Sequence, residues 1–93
     1  MRIVWLTPSR QDLAEIILYI AEDNPLAAME LDDDILSAVE NLSGFPQMGR
    51  LGRVQGTREL VVRDNYIIVY ETLDDEVRIL TVLHASRQWP PAT

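Results

Sequence analysis

Ninety-three residues, 47% hydrophobic and 25% charged, predict one globular domain over residues 1–93, and a formal charge of -7 with a pI near 4.4 argues against a general phosphate-binding protein. All eight basic residues are Arg and Lys is absent, which removes the P-loop lysine and Schiff-base chemistry; the absence of Cys removes disulfides, thiol nucleophiles, iron–sulfur clusters and thiolate zinc sites. His84 is the only His, so a multi-histidine metal centre is excluded, and neither a metal nor a cofactor is expected. A chain of this size buries only about 60 to 65% of the surface it exposes when unfolded, so a partner would matter to its stability.

Ile3 to Leu6 form a short apolar run that predicts a first strand, closed by Thr7-Pro8, with Thr7 as helix N-cap and Pro8 at the first helical position. Leu13, Ile16, Ile17, Ile20 and Ala21 recur at helical spacing and predict a helix over about 8–22, ended by Asp23-Asn24-Pro25. Asn24 can cap a second helix over about 25–43, whose apolar face is Ala28, Leu31, Ile35, Val39 and Leu42, and Gly44 is expected to end it in a left-handed conformation. The short link makes the two helices an antiparallel hairpin. All four glycines lie between Gly44 and Gly56, in a segment without either period, so residues 44–57 read as a long loop.

Three strands follow, over 58–63, 66–71 and 76–84, joined at the turn pair Asp64-Asn65 and at Leu73-Asp74-Asp75; Pro90-Pro91 bars the tail from the sheet. The order β-α-α-β-β-β predicts an α+β fold with the helical hairpin packed on one face of an antiparallel sheet. The last two strands are apolar almost continuously, so a second set, for instance Val61, Ile67, Val69, Ile79 and Leu83, is expected on the open face. It forms either a partner surface or a patch covered by the loop over 44–57 and the Trp-Pro-Pro tail. No apolar run reaches the ~18 residues of a membrane helix and the N-terminus lacks a signal peptide, so a cytoplasmic protein without membrane contact is expected.

Charge is segregated. Between residues 8 and 43 the acids are Asp12, Glu15, Glu22, Asp23, Glu30, Asp32, Asp33, Asp34 and Glu40, against Arg10 alone. Asp32, Asp33 and Asp34 stand about 100° apart around a helix, cannot converge on a metal and read as a solvated face. Arg50, Arg53, Arg58 and Arg63, with Arg87 in the tail, gather with Glu59 and Asp64 as the only acids among the first four. Arginine forks suit carboxylate or phosphate recognition, and such a group can equally be a plain solvated surface. His84 can act as a general base or bond a backbone carbonyl; with no nucleophile motif beside it, the structural role is preferred. Trp5 and Trp89 read as packing residues, since no basic stripe with interleaved aromatics surrounds them.

Trp5 to Pro8, Ile20-Ala21-Glu22-Asp23-Asn24-Pro25, Phe45-Pro46-Gln47-Met48-Gly49-Arg50, Arg58 to Val62, Tyr66 to Tyr70 and Ile79 to Arg87 together resemble the RelE/ParE toxins of bacterial toxin–antitoxin modules, in order and over nearly the whole chain. The resemblance implies a strand order of one-four-three-two. RelE-like members are ribosome-dependent mRNA endonucleases with cationic groups on the second and third strands and in the C-terminal segment; here those positions fall on Glu59, Val61, Ile67 and a position near Ala85. Losing one transition-state donor typically costs about 3 kcal/mol, so the pattern is similar instead to the ParE branch, which stabilises the cleaved-DNA complex of DNA gyrase and performs no chemistry.

By that resemblance no residue is catalytic, and the chain by itself binds no specific DNA sequence. The target-binding set is Arg50, Arg53, Arg58, Arg63, His84, Arg87 and Trp89, and the partner is a cognate antitoxin in a hetero-oligomer. The antitoxin would lay a helix over Leu13, Ile16, Ile17, Ile20, Leu31 and Ile35 and an extended segment over Val61, Ile67 and Val69. The alternatives are an mRNA endonuclease and an inactive module that only binds antitoxin. Family members are commonly basic and their antitoxins acidic, whereas this chain stands at -7, so its antitoxin must meet it through apolar contacts or a basic segment.

Overall fold

The computed structural model describes residues 1–91. Its elements are β1 (Arg2–Trp5), α1 (Thr7–Asp23), α2 (Pro25–Asn41), β2 (Arg50–Leu51), β3 (Arg58–Val62), β4 (Tyr66–Leu73) and β5 (Glu76–His84). α1 starts one residue earlier than the Thr-Pro signal suggests: Leu6 is the N-cap, in extended conformation and without a side-chain cap. Thr7 is therefore not the cap. The Ser9 hydroxyl donates to Leu6 O at 2.6 Å, which pins the first turn but satisfies none of its free N–H groups. Asn24 serves both helices. Its N–H donates to Ile20 O to close α1, and its side-chain oxygen accepts from Ala27 N at 3.0 Å to open α2, with Pro25 in the first turn where no donor is needed.

α2 ends at Asn41, and Gly44 is not left-handed as expected, because the only glycine with positive φ is Gly56. The last carbonyls are met by short turns instead, with Ser43 N donating to Glu40 O and both Gly44 N and Phe45 N to Asn41 O. The chain's first residue reinforces this end: the Met1 ammonium donates to Ser43 O and the Ser43 hydroxyl to Met1 O.

The helices pack on a five-stranded sheet in the order β1-β5-β4-β3-β2. Two details differ from expectation. The four foreseen strands lie in the order one-four-three-two, but the segment over 44–57 adds β2 as a short outer strand, and the sheet is mixed because β1 pairs with β5 in parallel. The β3–β4 turn also shifts: its left-handed residues are Arg63 (φ 55°) and Asp64 (φ 63°), not the pair Asp64-Asn65.

Between sheet and helices lies a core of Leu13, Leu31, Ile35, Val39, Leu42, Val62, Ile68, Tyr70, Val77, Ile79 and Val82. Ile79 was expected on the opposite face. The register shift at Val69/Tyr70 places Val69 opposite Thr81 and Tyr70 opposite Ile79, so Leu80 is an extra residue and the parity of β5 inverts across it. Ile67, Val69 and Leu83 do form a second cluster, and Leu80 and Trp89 pack against it. The tail thus lies over part of that face, whereas Val61 stays 38% exposed.

Candidate functional site

Two regions hold the residues singled out by sequence, at opposite edges of the sheet. The first is the glycine-bearing segment between α2 and β3. Tyr70, buried on β4, donates its hydroxyl proton to Pro46 O (2.8 Å) and accepts from Gly49 N (2.9 Å). Burial pushes that hydroxyl's pKa up, which keeps it a neutral donor. A Cβ on Gly49 would stand 2.8 Å from the Tyr70 hydroxyl oxygen and 3.0 Å from Glu59 O, so this position requires glycine.

Glu59 is the anchor of the segment. Its carboxylate, 3% exposed, accepts from Arg53 Nε (2.9 Å), Arg53 N (3.1 Å), Arg53 Nη2 (3.1 Å) and Arg50 Nη2 (3.1 Å). The Arg53 side-chain bond, overriding desolvation and assisted by the Arg53 backbone and by Arg50, lowers the Glu59 pKa to about 2. The same bond raises the pKa of Arg53. Arg58 donates to Gly49 O at 2.7 Å. Three of the arginines expected to meet a target are thus engaged in shaping this segment, which presents Phe45 (68% exposed) and Leu51 (78%) to solvent. The signal for the anchor was in the sequence: Glu59 is a lone acid inside an arginine-rich stretch.

The second region is a groove of about 670 Å³ between α1 and the tail, floored by the last residues of β5. His84, Arg87 and Trp89 line it, together with Ile16 and Ile20. The His84 ring stands edge-on to Tyr66, with centroids 5.3 Å apart. Its Nδ1 accepts from Ser86 N (3.1 Å) and lies 2.8 Å from the Ser86 hydroxyl. That places the ring proton on Nε2 and gives the imidazole the job of holding the turn after β5. Asp12, one of the hairpin acids, accepts from the Thr81 hydroxyl at 2.6 Å and ties α1 to β5 across 69 residues of chain. Nothing local in the sequence announces that pairing.

The arginine set therefore does not form one patch. Arg50, Arg53 and Arg58 sit at the β2–β3 edge and Arg87 beside the β5 groove, while Arg63 pairs with Asp34 of α2 (2.7 Å), so Asp34 is not a purely solvated acid. The expected antitoxin set divides too. Leu13, Leu31 and Ile35 are interior, Ile67 and Val69 are buried within the second cluster, Ile17 is half-buried against the core, and Ile16 and Ile20 reach the groove.

The family described as ParE toxin of type II toxin-antitoxin system, parDE, matches residues 3–89. The chain belongs to the ParE toxin family. It is 46% identical over 90 residues to Y4kP of Sinorhizobium fredii, a proposed toxin, covering 96% of this chain and 93% of that one. It is 36% identical to Toxin RelE2 of Caulobacter vibrioides over 86 residues, or 92% of this chain and 97% of the relative. Among solved structures, the chromosomal ParDE system from P. aeruginosa superposes with a TM-score of 0.81 at 23% identity, covering 90% of this chain and 95% of that one. A conserved hypothetical protein of Helicobacter pylori gives 0.61 at 19% identity, covering 92% and 96%. At these identities the two structures speak to the fold, which they share. The chain is the toxin of a type II toxin–antitoxin system, and such a toxin has an antitoxin protein as partner. Among the described residues no helix is long and apolar enough to cross a membrane.

Proposed function

We propose that this ParE-family toxin stabilises the cleaved-DNA complex of DNA gyrase in the cytoplasm, performs no chemistry of its own, and is held inactive by its antitoxin. The observation that carries this reading is the state of the positions where the endonuclease branch places its cations. Glu59 is anionic, buried and occupied by Arg50 and Arg53, and Ile67 lies inside an apolar cluster. A carboxylate there would oppose the charge that builds up on a scissile phosphate, and a buried isoleucine offers no donor. The target-facing groups are those at the two sheet edges: Arg50, Arg53 and Arg58 at one, Arg87 with His84 and Trp89 at the other, and Arg63 at the turn beside Asp34.

The test is purified chain with gyrase, ATP and supercoiled plasmid, scored for trapped linear DNA, beside a ribosome-dependent mRNA cleavage assay. The expected result is linear product and intact mRNA. Cleaved mRNA with no trapped gyrase would transfer the chain to the endonuclease branch, and inactivity in both would leave a module that only binds antitoxin.

A further inference from the structure

β1 covers only part of β5. Pairing runs from Arg2 opposite Glu76 to Trp5 opposite Ile79, and Leu6 N donates to Ile79 O before the chain leaves into α1. From Leu80 to His84 the outer edge of β5 has no strand beside it among the described residues. The antiparallel register decides which peptide groups are left over. Ala85 N donates to Asn65 O, and Leu83 and Thr81, opposite Ile67 and Val69, share that phase, so their polar groups turn towards β4. Those of Val82 and the N–H of His84 turn outward; His84 O is already taken by Arg87 N at 2.9 Å. Proteins usually block such an edge with charge, proline or a covering element, because it templates another strand. Here α1 and the tail stand back from it and leave the groove open.

The two walls differ in chemistry. On the α1 side are Asp12 and Glu15 with Ile16, and on the tail side are Trp89 and a single cation, Arg87, with Leu83 at the floor. Asp12 gives one oxygen to Thr81, and among the described residues no arginine pairs with either acid. We propose that the groove takes an extended segment of the antitoxin, added as a strand to the outer edge of β5, in which apolar residues alternate with Lys or Arg. A helix cannot satisfy the peptide groups of Val82 and His84, whereas a strand does so while placing alternate side chains on opposite faces. One set reaches the acids of α1 and the other reaches Leu83 and Trp89. An acidic segment would meet like charge on that wall and on a hairpin with nine acids and one arginine between residues 8 and 43.

This deepens the toxin–antitoxin reading and rests on it, but its test needs neither gyrase nor the antitoxin. Two capped hexapeptides, VKIRVK and VEIEVE, are titrated into the isolated chain, with binding and amide exchange followed by NMR. The expected result is binding of the basic peptide alone, with protection of the Val82 and His84 amides. Asp12→Asn combined with Glu15→Gln should weaken that binding about tenfold, the scale of two partly exposed charge pairs, while leaving the spectrum of the free protein folded. Equal binding of the acidic peptide, protection elsewhere, indifference to the double variant, or no binding of either peptide at millimolar concentration each overturns the proposal. Peptide binding without gyrase trapping would instead count against the gyrase target alone.

Discussion

Glu59 illustrates how one carboxylate can fix the meaning of its neighbours. Its folded pKa, about 2, lies below the ordinary glutamate value of 4.5, so it contributes stability that is fully present above about pH 4.5 and is lost as pH falls towards 2. The shift corresponds to about 3 kcal/mol at most, and the solvent access of Arg50 and Arg53 reduces that to about 2. Glu59→Gln should therefore lower the unfolding free energy by about 2 kcal/mol at pH 7, with the gap to the parent closing as the pH drops from 4.5 to 2. Urea denaturation of both proteins across that range checks it; a gap that does not change with pH would mean that the Glu59 charge is not what holds the segment. The same geometry bars a simple test of the target surface. Replacing Arg50 and Arg53 together by Ala would strand a buried carboxylate, so lost toxicity would report unfolding as readily as a lost contact.

At the scale of elements, much of the fold could be read from local signals because those signals were local in origin. Both helices follow from 3.6-residue periodicity, and the Asn24-Pro25 junction is a side-chain cap that the structure forms as read. The failures are non-local. Leu80 becomes an extra residue only because of how β5 pairs with β4, and that single insertion moves Ile79 into the main core. β2 is too short for any period to betray it and exists only through its pairing with β3. The candidate site divides the same way: the arginines, His84 and the lone acid Glu59 among the arginines are visible as residue types, while the Asp12–Thr81 tie and the open stretch of β5 require the three-dimensional register. The tail belongs to this scale too. Trp89→Ala should uncover Ile67, Val69 and Leu83 and cost about 2 kcal/mol, less than a fully interior aromatic because Trp89 is only half-buried. It should also increase binding of a hydrophobic dye to the native protein, and unchanged stability with no added dye binding would show that the tail does not cover that cluster.

For the molecule as a whole, the decisive quantity is a charge of -7 in a protein proposed to act on a DNA-bound enzyme. Exposed charges act over about 8 Å at physiological salt, so the acids of the hairpin set the approach more than the final contact. Asp32 and Asp33 have no ion-pair partner among the described residues, whereas Asp34 holds Arg63, so only the first two can be neutralised without disturbing the β3–β4 turn. Asp32→Asn with Asp33→Asn should leave the amount of trapped linear plasmid at saturating protein unchanged, because Asp33 is exposed, Asp32 is half-buried, and neither is tied into an ion pair among the described residues. Arg87→Ala tests the opposite edge, since among the described residues no ion pair commits its side chain and its backbone N–H bond to His84 survives the substitution. If the groove-side cation contacts gyrase or its DNA, that variant should need about tenfold more protein for the same trapped product, the scale of one charge-assisted hydrogen bond. Binding of the basic hexapeptide should persist or tighten, because a positive charge leaves the groove. Full trapping by Arg87→Ala at equal concentration would move the target surface to the β2–β3 edge, where Phe45 and Leu51 are already displayed.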